Sequence, residues 1–285
     1  MAHKPIFFRL TILLGLLLAG LAGEVRAQTV SPDFQRLGNG FDPVFTVVSD
    51  HNGYVWAGTT HGLIRYDSHG SVSYVHDPQD SASLCHNTVN ALLCLSDGKG
   101  MLVGTNQGLS LYDPVSDRFE QVKACGELHI RTLLERNDSL WVGSSSGLML
   151  LTGYRRGFAT CRARKVLDGP HITCSSEADG KAYFGTYNRI YAQNGPGQVQ
   201  EIAIPLLDRW YSNLVCDIIP SLEVPGTLLL GTEYGLVRFN PATRQSAMLL
   251  EDIPVRCFRR CSDGSLWIGT DKGIFVFGPE GRRQH

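Results

Sequence analysis

Excess charge of either sign is missing from this 285-residue sequence: 26 basic and 27 acidic side chains leave a formal net charge of −1. So small an imbalance excludes a global field that would recruit nucleic acid or an anionic membrane. Basic stretches occur at residues 155–157 and 162–165, but in so balanced a chain they read as solvated loop. No segment repeats apolar residues at helical spacing over ten or more positions, which excludes a helical solenoid. C-x-x-C is absent, so the eight cysteines do not form a zinc ribbon or a thioredoxin-like pair. Neither G-x-x-x-x-G-K-[ST] nor G-x-G-x-x-G occurs, H-E-x-x-H is missing, and no G-x-S-x-G nucleophile elbow is expected. No catalytic residue, metal or cofactor is therefore expected.

What is present first is a leader. His3, Lys4 and Arg9 precede an uncharged stretch at residues 10–23, and small residues end at Ala27. This order predicts a secretory signal peptide over residues 1–27, with an uncleaved anchor as the alternative. Residues 28–285 are then the mature, extracytoplasmic chain, periplasmic or beyond, without membrane contact of its own. That compartment permits disulfides. Cys94, Cys174, Cys216 and Cys257 lie in strand-like stretches as small hydrophobes, leaving Cys85, Cys125, Cys161 and Cys261 near turns as the pairing candidates. His51, His61, His69, His76 and His86 belong to different turns and are not expected to share a metal.

The dominant signal is a repeat. "VWAGTTHGLIRYD", "MLVGTNQGLSLYD", "LWVGSSSGLMLL", "AYFGTYNRIYA", "LLLGTEYGLVRFN" and "LWIGTDKGIFVF" share a Gly-Thr or Gly-Ser step. Its glycines, Gly58, Gly104, Gly143, Gly185, Gly231 and Gly269, are 46, 39, 42, 46 and 38 residues apart. That period accommodates four short strands, the size of one propeller blade. Two residues before each glycine stand Trp56, Leu102, Trp141, Tyr183, Leu229 and Trp267, large side chains suited to packing between sheets. Asp- and Gly-rich turns precede them, and a two-residue hairpin follows before Gly62, Gly108, Gly147, Gly235 and Gly273, with Arg189 in the fourth unit. Residues 71–74 and 118–122 read as polar outer strands. The fold class is thus all-β: a propeller of four-stranded blades, six in this chain, or seven if the chain is a fragment. The sixth unit has no convincing fourth strand, and residues 32–40 are expected to supply it and join the termini.

The pattern W-[IVA]-G-T-x-x-G-[LI]-x-x-[YF]-D resembles the regulator-propeller repeats of sensor regions in bacterial hybrid two-component proteins, especially those of Bacteroidetes. The likeness spans residues 34–277, with Ser144 for Thr, Arg189 for Gly, and no Trp in the second, fourth and fifth units. The resemblance implies a periplasmic sensory region responding to glycan breakdown products. Further sensor modules or a homodimer partner would accompany it, and any kinase activity would reside in modules absent from this sequence. Seven blades are usual in that family.

In a propeller the hairpins after each Gly-Thr step open on one face, together with the connections entering each blade. The candidate ligand rim is His61, Asn106, Gln107, Tyr187, Asn188, Glu233, Tyr234, Asp271 and Lys272, with Trp210 and Tyr211 as the strongest recognition feature. Polar groups converging beside aromatic rings suit an oligosaccharide. The expected function is extracytoplasmic ligand binding and sensing. The alternatives are a protein-interaction or structural propeller and, less favoured, a glycan hydrolase or lyase with carboxylates such as Glu233 and Asp271 brought together.

Overall fold

The computed structural model describes residues 42–67, 69–209, 213–278 and 283–284. The predicted signal peptide, the strand expected at residues 32–40, and Trp210 and Tyr211 lie outside them. Six four-stranded antiparallel sheets follow one another along the chain. Blade 1 is β1 (Val44–Ser49), β2 (Val55–Thr59), β3 (Gly62–Tyr66) and β4 (Ser71–Tyr74). Blade 2 is β5 (Val89–Cys94), β6 (Met101–Thr105), β7 (Gly108–Asp113) and β8 (Arg118–Gln121). Blade 3 is β9 (Ile130–Arg136), β10 (Ser139–Ser144), β11 (Gly147–Thr152) and β12 (Arg162–Asp168). Blade 4 is β13 (Cys174–Ala178), β14 (Lys181–Gly185), β15 (Arg189–Gly195) and β16 (Gln198–Ala203). Blade 5 is β17 (Val215–Pro220), β18 (Leu228–Thr232), β19 (Gly235–Phe239) and β20 (Ser246–Glu251). Blade 6 is β21 (Val255–Arg260), β22 (Leu266–Thr270), β23 (Gly273–Phe277) and the two-residue β24 (Arg283–Gln284). The chain is a six-bladed β-propeller. Among the described residues no helix is long and apolar enough to cross a membrane.

The repeat letters have local causes. In five blades the Thr or Ser hydroxyl donates to the carbonyl of the glycine three residues on: Thr59, Thr105, Ser144, Thr232 and Thr270 do so at 2.7–3.0 Å. That bond pins the hairpin between the second and third strands. The closing glycine is required twice at Gly147, where φ is 140° and an added Cβ would run into the Leu167 carbonyl of the outer strand. Blade 4 carries Arg189 there and builds its turn differently, with Asn188 at φ 57° and its Oδ1 accepting from the Asn213 N–H at 2.8 Å.

The blades are held together by knobs and holes. The second strand of each blade turns its large residue and its Gly toward the next blade. Trp56 packs with Val103 and Tyr112, Leu102 with Val142, Trp141 with Phe184, Tyr183 with Leu230, and Leu229 with Ile268. Beside each, the missing Cβ makes room for the first residues of the next blade. A Cβ on Gly104 would lie 2.6 Å from Ile130 Cγ2, and one on Gly143 would lie 2.6 Å from Ile172 Cγ2. The knobs Val89, Ile130, Ile172, Val215 and Val255 are all 0% exposed. Burying each side chain stabilises the seam by about 1.5–3 kcal/mol.

At blade 6 the pattern stops. Among the described residues Gly269 faces only its own blade's Cys257, Trp267 is half-buried, and Val44, the knob of blade 1, is 55% exposed. The inner strands of blades 6 and 1 are not packed together as the other inner strands are. The strand expected from residues 32–40 lies outside the described residues; among those described, Arg283–Gln284 pairs with β23 and completes the fourth strand of blade 6. Hydrogen bonding to the exposed edge of β23 needs only a short extended segment, and the C-terminal residues supply it. The cysteine expectation changes. All eight are unpaired, and Cys85, Cys125 and Cys161 cluster around short 3-10 turns, where burial pushes the Cys125 thiol up to about 12.

A buried carboxylate ties blade 5 to blade 6. Asp217 Oδ1 accepts from Ile218 N–H at 2.8 Å and Oδ2 from Phe258 N–H at 2.7 Å. Burial nevertheless outweighs these bonds and pushes its carboxyl from 3.8 up to about 6.

Two outcomes follow from this packing. Ile130→Ala costs about 2–5 kcal/mol in chemical denaturation because it empties a filled hole, whereas Val44→Ala costs less than about 0.5 kcal/mol; equal losses would contradict the knob-and-hole account. Asp217 holds its proton in the folded state after the unfolded chain has released it, so stability falls as pH rises from 3.8 through about 6. Asp217→Asn removes that decline, and a variant with the wild-type slope would overturn the assignment.

Candidate functional site

Each first strand begins on the hairpin side of its blade, since antiparallel pairing sets Val44 opposite Thr59, Val89 opposite Thr105 and Ile130 opposite Ser144. In five blades a bulge or irregularity follows within two residues of the start. It turns out one residue at the position before the partner of the marker glycine: Phe45, Asn90, Arg131, Cys216 and Arg256, with Thr173 the counterpart in blade 4. Bulges of this kind re-aim a side chain. These residues, the hairpins and the connections entering each blade therefore share one end of the blade set, the candidate mouth.

The rim residues expected from the sequence divide by what they touch. Asp271 is engaged in scaffolding: Arg256 Nε and Nη2 donate to its two oxygens at 2.8 and 2.7 Å, holding its carboxyl below the usual range. Asn188 braces the next connection through Asn213, as described. Glu233 Oε2 accepts from Leu214 N–H at 3.4 Å, and Asn106 Oδ1 accepts from Asn90 Nδ2 at 2.9 Å. His61 pairs with Asp42 at 2.9 Å. Gln107 and Lys272 are exposed, their backbone N–H groups bound to the Thr of their own hairpins, and the Tyr234 N–H is held in the same way by Thr232. Tyr187 is 40% exposed and lies against His171, ring centroids 5.8 Å apart. The structure thus draws Tyr187 into a cluster with His171 and commits the Asp271 carboxylate to Arg256.

That cluster was not read from the sequence. His129 and His171 each precede the first apolar residue of a blade, and Arg131 follows Ile130. Their Nε2, Nε2 and Nε atoms are buried without a hydrogen-bond partner. Burial first, then Arg131 and His86, pulls the His129 imidazole below its ordinary value, and burial, Arg131 and His129 do the same to His171. The signal available in the sequence was the repeated "HI" step at residues 129–130 and 171–172.

Serine chemistry has no support here. The letters G-x-S-x-G do occur, at residues 143–147, correcting the expectation of their absence. They form the hairpin between β10 and β11, and the motif's strand-to-helix turn is missing. Among the described residues no group of three or more His, Cys, Asp or Glu could hold a metal ion. Two clefts of about 590 and 740 Å³ open on the opposite face of the blades. Three of their arginines are engaged: Arg155 with Glu135 and Asp138, Arg136 with Gln193 and the Gly180 carbonyl, Arg164 with the Gly197 carbonyl. The mouth, where the buried Nε2 atoms of His129 and His171 and the Nε of Arg131 lack partners, is the better candidate.

No family model matches the sequence, and no curated protein does either. Solved structures do. The chain is similar to the extracellular domain of the hybrid two-component system protein BT4673 from B. thetaiotaomicron, with 22% identity, 88% of this chain and 34% of that one covered, and a TM-score of 0.73. It is similar to the corresponding domain of BT3049 from the same organism, with 20% identity, 88% and 36% covered, and a TM-score of 0.70. A catalytically inactive virginiamycin B lyase from Staphylococcus aureus, solved with quinupristin, is 12% identical, with 88% and 86% covered and a TM-score of 0.66. The chain spans about a third of the length of the two B. thetaiotaomicron structures, and what these likenesses establish is the propeller fold.

Proposed function

We propose that this chain is an extracytoplasmic ligand-binding propeller of a sensory protein, taking a glycan-derived cue at the mouth formed by its hairpins. The observation that carries the reading is the set of buried, unpartnered polar atoms of His129, Arg131 and His171 at that end, beside the half-exposed Tyr187. Buried donors and acceptors are almost always paired, so groups left unpaired beside an exposed ring are suited to pairing with a ligand. The leader-like residues 1–27 and the likeness to extracellular domains of two-component proteins support the location and the sensory role. Trp210 and Tyr211 are proposed as an aromatic platform on the connection entering blade 5.

Binding becomes signalling only where it favours one of two states of a larger assembly. A ligand bridging the starts of neighbouring blades would bias the packing of this propeller against a second copy or a further sensor module.

Calorimetric titration of the purified chain with a panel of neutral and acidic oligosaccharides tests this reading. Saturable binding without chemical change of the sugar is expected, weakened about tenfold by Tyr187→Ala or Trp210→Ala and untouched by Lys181→Ala on the opposite face. Equal loss on Lys181→Ala, or turnover of the sugar, would overturn it.

A further inference from the structure

The six blades provide an internal comparison at the re-aimed position. Asn90 is satisfied by Asn106 and by the Ile130 carbonyl, at 2.9 and 3.1 Å. Thr173 donates to the Val215 carbonyl at 2.5 Å, and Cys216 to the Leu214 carbonyl at 3.7 Å. Arg256 has its bidentate carboxylate in Asp271, the second residue after the marker glycine of its own blade. Arg131 occupies the same position in blade 3, where the residue facing it in the repeat is Ser145 rather than Asp. The backbones correspond: Asp271 N–H donates to the Pro254 carbonyl at 3.2 Å, and Ser145 N–H to the His129 carbonyl at 3.0 Å. Among the described residues Arg131 has no hydrogen bond or ion pair, and its Nε is buried. One arginine brings its own counter-charge and the other is left open.

Around Arg131 the chemistry is uniform. His129 and His171 flank it with buried, unpartnered Nε2 atoms. The charged and titratable groups acting on His129 are Arg131 and His86, and those acting on His171 are Arg131 and His129; no carboxylate is among them. A cation would be repelled by the guanidinium. A neutral sugar would leave its charge unmatched. A guanidinium fork with two imidazoles that become donors on protonation suits an oxyanion, which Arg recognises by paired N–H bonds.

We infer that Arg131, His129 and His171, with the Tyr187 ring alongside, form a subsite for a single oxyanion carried by an acidic sugar, a carboxylate or a sulfate ester. The inference rests on the ligand-binding reading above and narrows its ligand class. Because both imidazoles are depressed in the free protein, a bound anion raises them and binding takes up protons. Affinity therefore increases as pH falls toward the imidazole range.

The test follows the histidine side chains of the isotope-labelled chain by NMR, with His129→Gln and His171→Gln assigning the two imidazoles. The probes are D-glucuronate, glucose 6-sulfate and glucose, at about pH 6 and about pH 7.5. Both imidazoles should shift saturably with at least one anionic sugar, the tighter of the two identifying carboxylate or sulfate as the source, and not with glucose. Binding should be about fivefold or more tighter at the lower pH. Ser145→Asp should copy the blade 6 arrangement, leave the unfolding midpoint unchanged and abolish the shift; Arg131→Gln is the second variant. Anionic shifts that survive Ser145→Asp and Arg131→Gln, or no shift with either anion, would overturn the inference. If neutral oligosaccharides still bind elsewhere, only this subsite fails; if no glycan binds, the ligand-binding reading fails with it.

Discussion

The arrangement of this protein depends on one steric constraint: each blade must present a position without Cβ where the next blade inserts a β-branched side chain. At Gly58, Gly104, Gly143, Gly185 and Gly231 the space a methyl would take is filled by Val89, Ile130, Ile172, Val215 and Val255. The same contact sets the distance between sheets, buries the large residue two positions earlier, and fixes where each first strand starts. Because the knob lies within one or two residues of the re-aimed side chain, packing and presentation are coupled. Ile130 is the knob of blade 3, and His129 and Arg131 are its immediate neighbours.

The two faces of the blades differ in kind. On the turn face, charged groups close on one another within and between blades: Arg155 Nη2 lies 3.0 Å from Glu135 Oε1 inside blade 3, and Arg136 Nε lies 3.1 Å from Glu177 Oε1 of blade 4. Inside the first seam Tyr74 and Tyr112 donate to Asp117 at 2.7 Å each, with Arg65 stacked over Tyr54 and Trp56. These are closed networks, which rigidify the structure and leave little for a ligand. On the hairpin face the blades differ in how completely they satisfy themselves, and blades 3 and 4 do so least. A repeat scaffold that departs from self-satisfaction at one seam concentrates its function there.

Much of the fold was legible because the constraint writes itself into letters. A Gly-Thr step with a large residue two positions earlier and a glycine three positions after the Thr or Ser records the hole, the hairpin pin and the close approach of the outer strand. The closing strand of blade 6 was not legible, since Arg283–Gln284 is too short to show alternation and its pairing depends on the open edge of β23. The site was legible only in part. Spacing named Tyr187, Asn188 and Asp271 alike as rim candidates and could not show that a left-handed turn engages Asn188 and an ion pair engages Asp271. Whether a rim residue is free depends on what the facing strand supplies, which spacing along the chain does not record. His129 and His171 escaped because the positions ahead of the first strands do not repeat: Thr88 and Leu214 stand in the same place in other blades.

That function sits on the hairpin face, at the seam of blades 3 and 4, is the central claim. Hydrogen–deuterium exchange of the purified chain, with and without a saturating acidic oligosaccharide, tests it most directly. Protection confined to peptides spanning residues 128–133, 143–148, 169–174 and 185–190 is the predicted result. Protection of residues 135–141 and 193–197 instead, around the clefts of the opposite face, would contradict it.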